Sequence, residues 1–367
     1  IYISLQKDGI LFKMRRTQDL PDKESATMFF QDCKLAHQAQ ITGINYSVKE
    51  ILPPNLLDLT QLQKEANIRY GFTASEVYDI AQSLYEKKLI SYPRTSSRYL
   101  TEDVFDSLSP IMARLLSWEL FPAAKGTGGI DISGLSRHVI NAEKANVHHA
   151  IIITGIRPGN MSEKEMQVYR LVAGRMLEAF MAPCRIETTN VEAVCAAQHF
   201  KAEQTRIIEA GWHDVFMRSD MIPTSGYSVK ELPEVEKGDT LNVCGCNMVH
   251  KKELPVDPFT DAELVEYMEL NGLGTVSSRT NIIRTLVNRK YIRYSGKYIV
   301  PTPKGMFTYE TIRGKKIADT SLTADWEKQL AGLESGMITG QDFLNRIRTL
   351  AKEMTDDIFN TYSTKEE

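Results

Sequence analysis

Along the opening stretch IYISLQKDGILFKMRR, apolar and polar side chains alternate with a period of two, as in a strand with one buried face. Asp8-Gly9 interrupts the alternation with a pair suited to a two-residue hairpin turn. The same pattern runs on through AQITGINYSVKEILPP and stops at Pro53-Pro54, so residues 1 to about 55 read as strands. The period then changes to that of a helix. Thr73-x-x-Glu76 has the form of a capping box, and Val77, Ile80, Ala81, Leu84 and Tyr85 follow at helical spacing, with a helix-like run ending at Ile90. Helical spacing returns in SEKEMQVYRLVAGRMLEAFM, residues 162–181. Strand-like alternation reappears between about 185 and 250, first in RIETTNVEAVCAAQHFKAEQTRIIEAGWHDVF and then in ELPEVEKGDTLNV. From Phe259 onward the chain is mostly helical. The order strand-rich, helical, strand-rich, helical suggests a β domain interrupted by a helical insertion and followed by a helical domain; pattern alone leaves the pairing of the two β segments open.

The last segment is the most structured. Thr260-x-x-Glu263 caps a helix carrying Leu264, Tyr267 and Met268, and Gly272-Leu-Gly274 ends it. Ser277 or Ser278 can cap a second helix with Ile282, Ile283, Leu286 and Val287 on one face and Arg279, Arg284, Arg289 and Lys290 off it. YIRYSGKYIV then reads as a hairpin turning at Ser295-Gly296, with Arg293 and Lys297 as further cations. Helix, turn, helix and hairpin look like a winged-helix unit, a geometry that docks on DNA. The cations suit phosphate contacts and equally suit a solvated helix face.

With 367 residues, 42% of them hydrophobic and 25% charged, the chain has room for two or three globular domains. No apolar run approaches the roughly 20 residues needed to span a bilayer, and no signal peptide is evident. The first residue is Ile, which suggests that a natural start lies upstream. The five cysteines, Cys33, Cys184, Cys195, Cys244 and Cys246, form no C-x-x-C pair, so a zinc ribbon is not expected and a reducing, cytoplasmic setting is. A net charge of −3 excludes a surface coated in basic residues without excluding a local basic stripe.

Candidate chemistry concentrates in LISYPRTSSRYLTED, residues 89–103. A phenol has a pKa of about 10 and is a poor nucleophile at neutral pH. To attack a phosphodiester it needs groups that favour the phenolate and offset charge on the phosphoryl oxygens. Arg94 is a permanently charged fork suited to phosphate; Thr95, Ser96 and Ser97 offer hydroxyls, and Arg98 a second cation. Pro93 ends the helix and favours an exposed Tyr92. A tyrosine after a helix is also an ordinary half-buried anchor, and spacing does not decide between the two. The pair His148-His149 in NVHHAIIIT has no nearby carboxylate or cysteine to complete a metal site, and a hydrogen-bonding histidine beside phosphate fits better.

Taken together, these stretches resemble the type IA DNA topoisomerases, and in particular the bacterial topoisomerase III branch, over nearly the whole chain. LLDLTQLQKEANIRYGFTASEVYDIAQSLYEKKLISYPRTSSRYLTED is similar to the family segment leading into the active-site tyrosine. HHAIIIT is similar to the family's H-H-A-I-I-P-T; NGLGTVSSRTNIIRTLVNRKYI, KYIVPTPKG and LTADWEKQL are similar to its C-terminal helical domain. The resemblance implies an α+β multidomain, toroidal body. Residues 1–60 with 183–256 would form a discontinuous β-rich arch, 61–182 a helical cap, and 257–367 a helical domain that binds single-stranded DNA. It implies an ATP-independent enzyme that cuts one strand through a 5′-phosphotyrosine, passes another strand through the gap and religates, relaxing or decatenating DNA. Tyr92 would be the nucleophile, Arg94 would steady the phosphate, and His148 would contact it near the scissile bond. Thr95, Ser97, Arg98, His149, Thr275, Ser278 and Arg279 would contact DNA. The expected partners are single-stranded DNA, a Toprim domain and, at family level, a RecQ-type helicase; no membrane association is expected, and the expected state is a monomer in the bacterial cytoplasm at the nucleoid.

Three departures qualify the resemblance. Ser96 stands where the family commonly has Asp, and Ile153 where it has Pro. The glutamate and D-x-D pair of a magnesium-binding Toprim domain are not found: Asp19 and Asp22 are spaced D-x-x-D in a Pro-containing turn. Magnesium is therefore expected of the intact enzyme and none is expected on this chain, which alone would bind DNA and cleave it poorly. The competing expectations are a non-enzymatic winged-helix DNA-binding protein with a structural Tyr92, and a tyrosine recombinase or relaxase. The last two lack their histidine or R…H-x-x-R signatures here.

Overall fold

The computed structural model describes residues 1–118, 120–121, 137–145, 148–216, 222–223, 225–249 and 256–363. These divide into two compact units, one within residues 1–54 and 177–249, the other within 55–118, 137–176 and 256–363.

The first unit is a closed six-stranded barrel. Its strands are β1 (Tyr2–Lys7), β2 (Ile10–Arg16), β3 (Gln38–Ile51), β4 (Cys184–Cys195), β5 (Gln198–Glu209) and β6 (Thr240–Asn247). They follow the order β1-β2-β5-β4-β3-β6, and every neighbouring pair is antiparallel. The two strand-rich segments thus close on each other, leaving no free edge between them. Asp8 and Gly9 both adopt positive φ, 52° and 83°, as the turn between β1 and β2 requires. Ile3, Leu5, Phe12, Met14, Ile41, Val191 and Phe200 fill the interior. Gly211 closes the exit from β5: at φ 52°, a Cβ there would collide with the carbonyls of Ala182 and Pro183. Trp212 beside it is fully buried and donates from Nε1 to the carbonyl of Ile51 at 2.9 Å.

The barrel segment also holds a helix where strands were expected, α1 (Lys23–Leu35). Asp22 caps it, accepting from the Ser25 amide at 2.7 Å. Only Cys33 is fully buried along its length, so there was little apolar periodicity to reveal it. Similarly, only the end of ELPEVEKGDTLNV is strand, from Thr240.

The second unit contains α2 (Leu59–Tyr70), α3 (Ala74–Glu86), α4 (Glu102–Asp106), α5 (Leu108–Ser117), α6 (Ala142–Ala145) and most of α7 (Glu163–Phe180). It also holds α8 (Asp261–Leu270), α9 (Arg279–Asn288), the hairpin β7 (Ile292–Ser295) and β8 (Tyr298–Pro301), then α10 (Pro303–Ile312), α11 (Thr320–Glu334) and α12 (Gly340–Ser363). Both expected capping boxes form, at Thr73/Glu76 and Thr260/Glu263. Helix α2 packs on α8, and α3 on α9. Ala74, Val265, Met268, Ile283 and Ile299 make one apolar cluster there.

At four points the elements differ from what periodicity suggested. Helix α3 stops at Glu86, and Lys88 at φ 59° turns the chain away before Ile90. In α8 the buried stripe is Ala262, Val265 and Met268, while Tyr267 is exposed. In α9 it is Arg279, Thr280 and Ile283, so Arg279 lies inside the packed face and Ile282 outside it. Ser295 pairs with Tyr298, which places the hairpin turn at Gly296-Lys297, one residue later than the spacing suggested.

Candidate active site

After α3 the chain crosses the second unit without regular structure, and hydrogen bonds hold it there. The Ser91 amide donates to the Ile152 carbonyl at 2.8 Å, and the Ile152 amide donates back to Ser91 Oγ at 3.0 Å. The Ala150 amide donates to the Tyr99 carbonyl at 2.9 Å, and Thr95 Oγ1 to the His148 carbonyl at 3.0 Å. From the other side, the Leu59 amide donates to the Thr95 carbonyl at 3.1 Å. The tyrosine loop and the His-His-Ala-Ile-Ile-Ile segment are therefore laced together, although they are far apart in sequence.

This lacing places His148 against Tyr92, with ring centroids 4.5 Å apart and planes inclined by 48°. Tyr85 also meets Tyr92 edge-on, with ring centroids 5.4 Å apart. Tyr92 is half-buried. Arg94 lies over the Tyr78 ring at 5.1 Å and donates from Nη2 to Gln82 Oε1 at 3.3 Å. Its Nε is buried with no hydrogen-bond partner. A buried cationic donor without an acceptor is uncommon and suits an incoming anion.

The residues expected to contact DNA divide into groups. Thr95 and Ser97 are 3% and 5% exposed, and their hydroxyls serve the loop itself: Thr95 Oγ1 also accepts from the Ser97 amide at 3.0 Å, and Ser97 Oγ from the Tyr99 amide at 3.1 Å. Between them, Ser96 is exposed. Arg98 is part-exposed and donates from Nε to Asp58 Oδ2 at 2.7 Å. His149 Nδ1 lies 2.7 Å from the Ala150 carbonyl oxygen.

Thr275 and Ser278 form the turn into α9, where the Thr275 amide donates to Ser278 Oγ at 2.8 Å. Ser278 stands at the helix start without a capping bond from its hydroxyl. Gly274, at φ 71°, allows this turn, since a Cβ would come within 2.9 Å of both Ile282 Cδ1 and Ser278 Oγ. Arg279 is 8% exposed, 3.6 Å from Glu269 Oε1 and 3.4 Å from Thr60 Oγ1. Burial pushes the Arg279 guanidinium below its ordinary range, against the charges of Glu269 and Asp58.

Sequence reasoning did not single out Asp58, Gln82, Tyr85 or Glu269 for this site. Asp58-x-x-Gln61 ahead of a helical run was a legible capping signal for the first. The others needed the fold. Among the described residues, no three His, Cys, Asp or Glu side chains are grouped so as to hold a metal ion.

A family model described as DNA topoisomerase matches residues 1–345. Proteins called DNA topoisomerase 3 are similar to the chain: 32% identity in Bacillus licheniformis, covering 87% of this chain and 47% of that protein, and 30% in Bacillus subtilis, covering 89% and 48%. A third, from Shouchella clausii, is 31% identical over 96% of this chain and 51% of its own length. The chain thus spans about half the length of these curated relatives. Full-length topoisomerase I from Thermotoga maritima shares the fold at a TM-score of 0.73 and 23% identity, over 96% of this chain and 58% of that one. With the α+β multidomain fold of a type IA enzyme and a match along almost its whole length, the chain belongs to the bacterial type IA DNA topoisomerases.

Proposed function

We propose that this chain supplies the nucleophile and the single-strand-binding surface of a type IA topoisomerase. Tyr92 Oη attacks a backbone phosphorus and gives up its proton to solvent, while the bond from phosphorus to the 3′ oxygen breaks and that oxygen takes up a proton. The products are a 5′-phosphotyrosine and a free 3′-hydroxyl. Another strand passes, the 3′-hydroxyl attacks the tyrosyl ester, and the backbone is restored with no ATP. The observation that carries this reading is Tyr92 in contact with both Tyr85 and His148, with the unpartnered Arg94 Nε two residues on. Arg94 would offset charge on the phosphoryl oxygens, and the His148 ring would donate to one of them. Thr275, Ser278 and the exposed edge of Arg98 would meet the strand backbone, with His149 orienting its neighbour.

In the same proposal, residues 1–60 with 183–256, residues 61–182 and residues 257–367 act as arch, cap and strand-binding domain. The glutamate and D-x-D chemistry and magnesium come from a Toprim domain outside this chain. The protein works as a monomer at the nucleoid, with a RecQ-type helicase as a candidate partner. The test mixes this chain with a separately supplied Toprim domain, magnesium and a labelled single-stranded oligonucleotide, and reads denaturing gels for a covalent band. A band that vanishes in Tyr92→Phe supports the proposal. Tight binding with no band overturns it in favour of a plain binding module.

A further inference from the structure

The loop that carries Tyr92 is irregular, so its precision depends on what holds it. Asp58 is 1% exposed and uses both carboxylate oxygens. Oδ1 accepts from the Gln61 amide at 2.7 Å and caps α2; Oδ2 accepts from Arg98 Nε at 2.7 Å. The next amide, Leu59, holds the Thr95 carbonyl. One helix start thus grips the loop at two points, three and six residues beyond Tyr92. Two residues into the same helix, Thr60 meets Arg279, which pairs with Glu269 of α8. These charges sense one another: the Glu269 carboxyl is pushed up first by burial and then by Asp58, and is drawn down by Arg279 and Arg98.

We propose that Asp58 is a positioning residue for the Tyr92 loop, and that Asp58, Arg98, Thr60, Arg279 and Glu269 form one polar cluster tying that loop to the turn between α8 and α9. The proposal rests on Tyr92 as the nucleophile. A helix cap alone needs one acceptor oxygen, which Asn, Ser or Thr supplies as well. Only a carboxylate gives a second acceptor to Arg98. Asp58→Asn therefore keeps the cap and, with its amide group facing the guanidinium, loses the strap.

The test compares wild type, Asp58→Asn, Arg98→Gln and the double variant in two measurements. The first is amide hydrogen exchange in this chain at Leu59, Ser97 and Tyr99. The second is single-turnover covalent adduct formation on a labelled oligonucleotide by the intact protein containing the chain, with oligonucleotide affinity measured alongside. In Asp58→Asn, the three amides should exchange about tenfold faster or more while barrel amides do not change. Adduct formation should slow about tenfold or more with affinity held within roughly twofold, the mark of lost positioning and not of lost binding. The double variant should form adduct no more slowly than Arg98→Gln alone, since that change already removes the bond to Asp58. Unchanged adduct formation overturns the proposal and leaves Asp58 a helix cap. So does a loss confined to affinity. A wild type that forms no adduct overturns the Tyr92 reading instead, and the exchange data alone then decide whether Asp58 holds the loop.

Discussion

The barrel and the tyrosine-bearing unit solve burial in opposite ways. The barrel interior is apolar, and its ion pairs lie outside, directly across strands: Lys201–Glu192 at 2.7 Å, Arg206–Glu187 at 2.5 Å, and Arg185–Glu209. The other unit carries ten of the thirteen buried polar or charged residues among those described, Asp58, Gln63, Glu65, Thr95, Arg175 and Arg279 included. Apolar packing is non-directional and tolerates exchange, whereas a buried charge is tolerable only with its partner in place. A scaffold can be made the first way. The Tyr92 loop is held the second way, and each buried polar pair specifies a geometry.

That contrast can be broken or sharpened by mutation. The largest loss is expected at the Glu65–Arg175 pair, buried and 2.6 Å long, where Glu65→Ala should cost about 3–5 kcal/mol in denaturant unfolding because it removes a carboxylate that both Arg175 and Arg69 approach. Replacing both partners by Leu and Met should recover most of that loss; a double variant as weak as the single one would show the unit to be intolerant of apolar exchange. In the barrel, Gly211→Ala should cost about 1–3 kcal/mol of thermal stability through backbone strain. Acid titration gives the next effect. The Lys87 ammonium, then the Ser162 amide and Ser83 hydroxyl, hold the Glu165 carboxyl at about 2, against an ordinary 4.5. Its contribution is therefore complete above about pH 4.5 and is lost as pH falls toward 2, so Glu165→Gln should flatten the acid limb of the stability curve. The smallest effect is expected at the exposed pair Arg206–Glu187, where Arg206→Ala should cost about 0–1 kcal/mol and less in high salt.

Much of the fold was legible. The Asp8-Gly9 hairpin, both capping boxes, α7 and the helix–helix–hairpin succession follow from period and turn chemistry, which act over a few residues. Helix α1 escaped because it buries little, and the face of α9 was misread because a buried Arg279 breaks the apolar stripe. At the site, Tyr92, Arg94 and His148 were marked by residue type, and the structure brings Tyr92 and His148 into contact. That the Thr95 and Ser97 hydroxyls bond within the loop was not legible, because a hydroxyl carries no sign of whether its partner is solvent or the chain itself.

By itself, then, the sequence determined the local elements, the family and the residue types available for phosphoryl chemistry. Tertiary structure decided which strands close the barrel, and that Asp58, 34 positions before Tyr92 in the chain, is positioned to hold its loop. The reason is physical. Capping and periodicity depend on neighbours in sequence, whereas the partner of a buried charge depends on burial and distance, which exist only once the chain has packed.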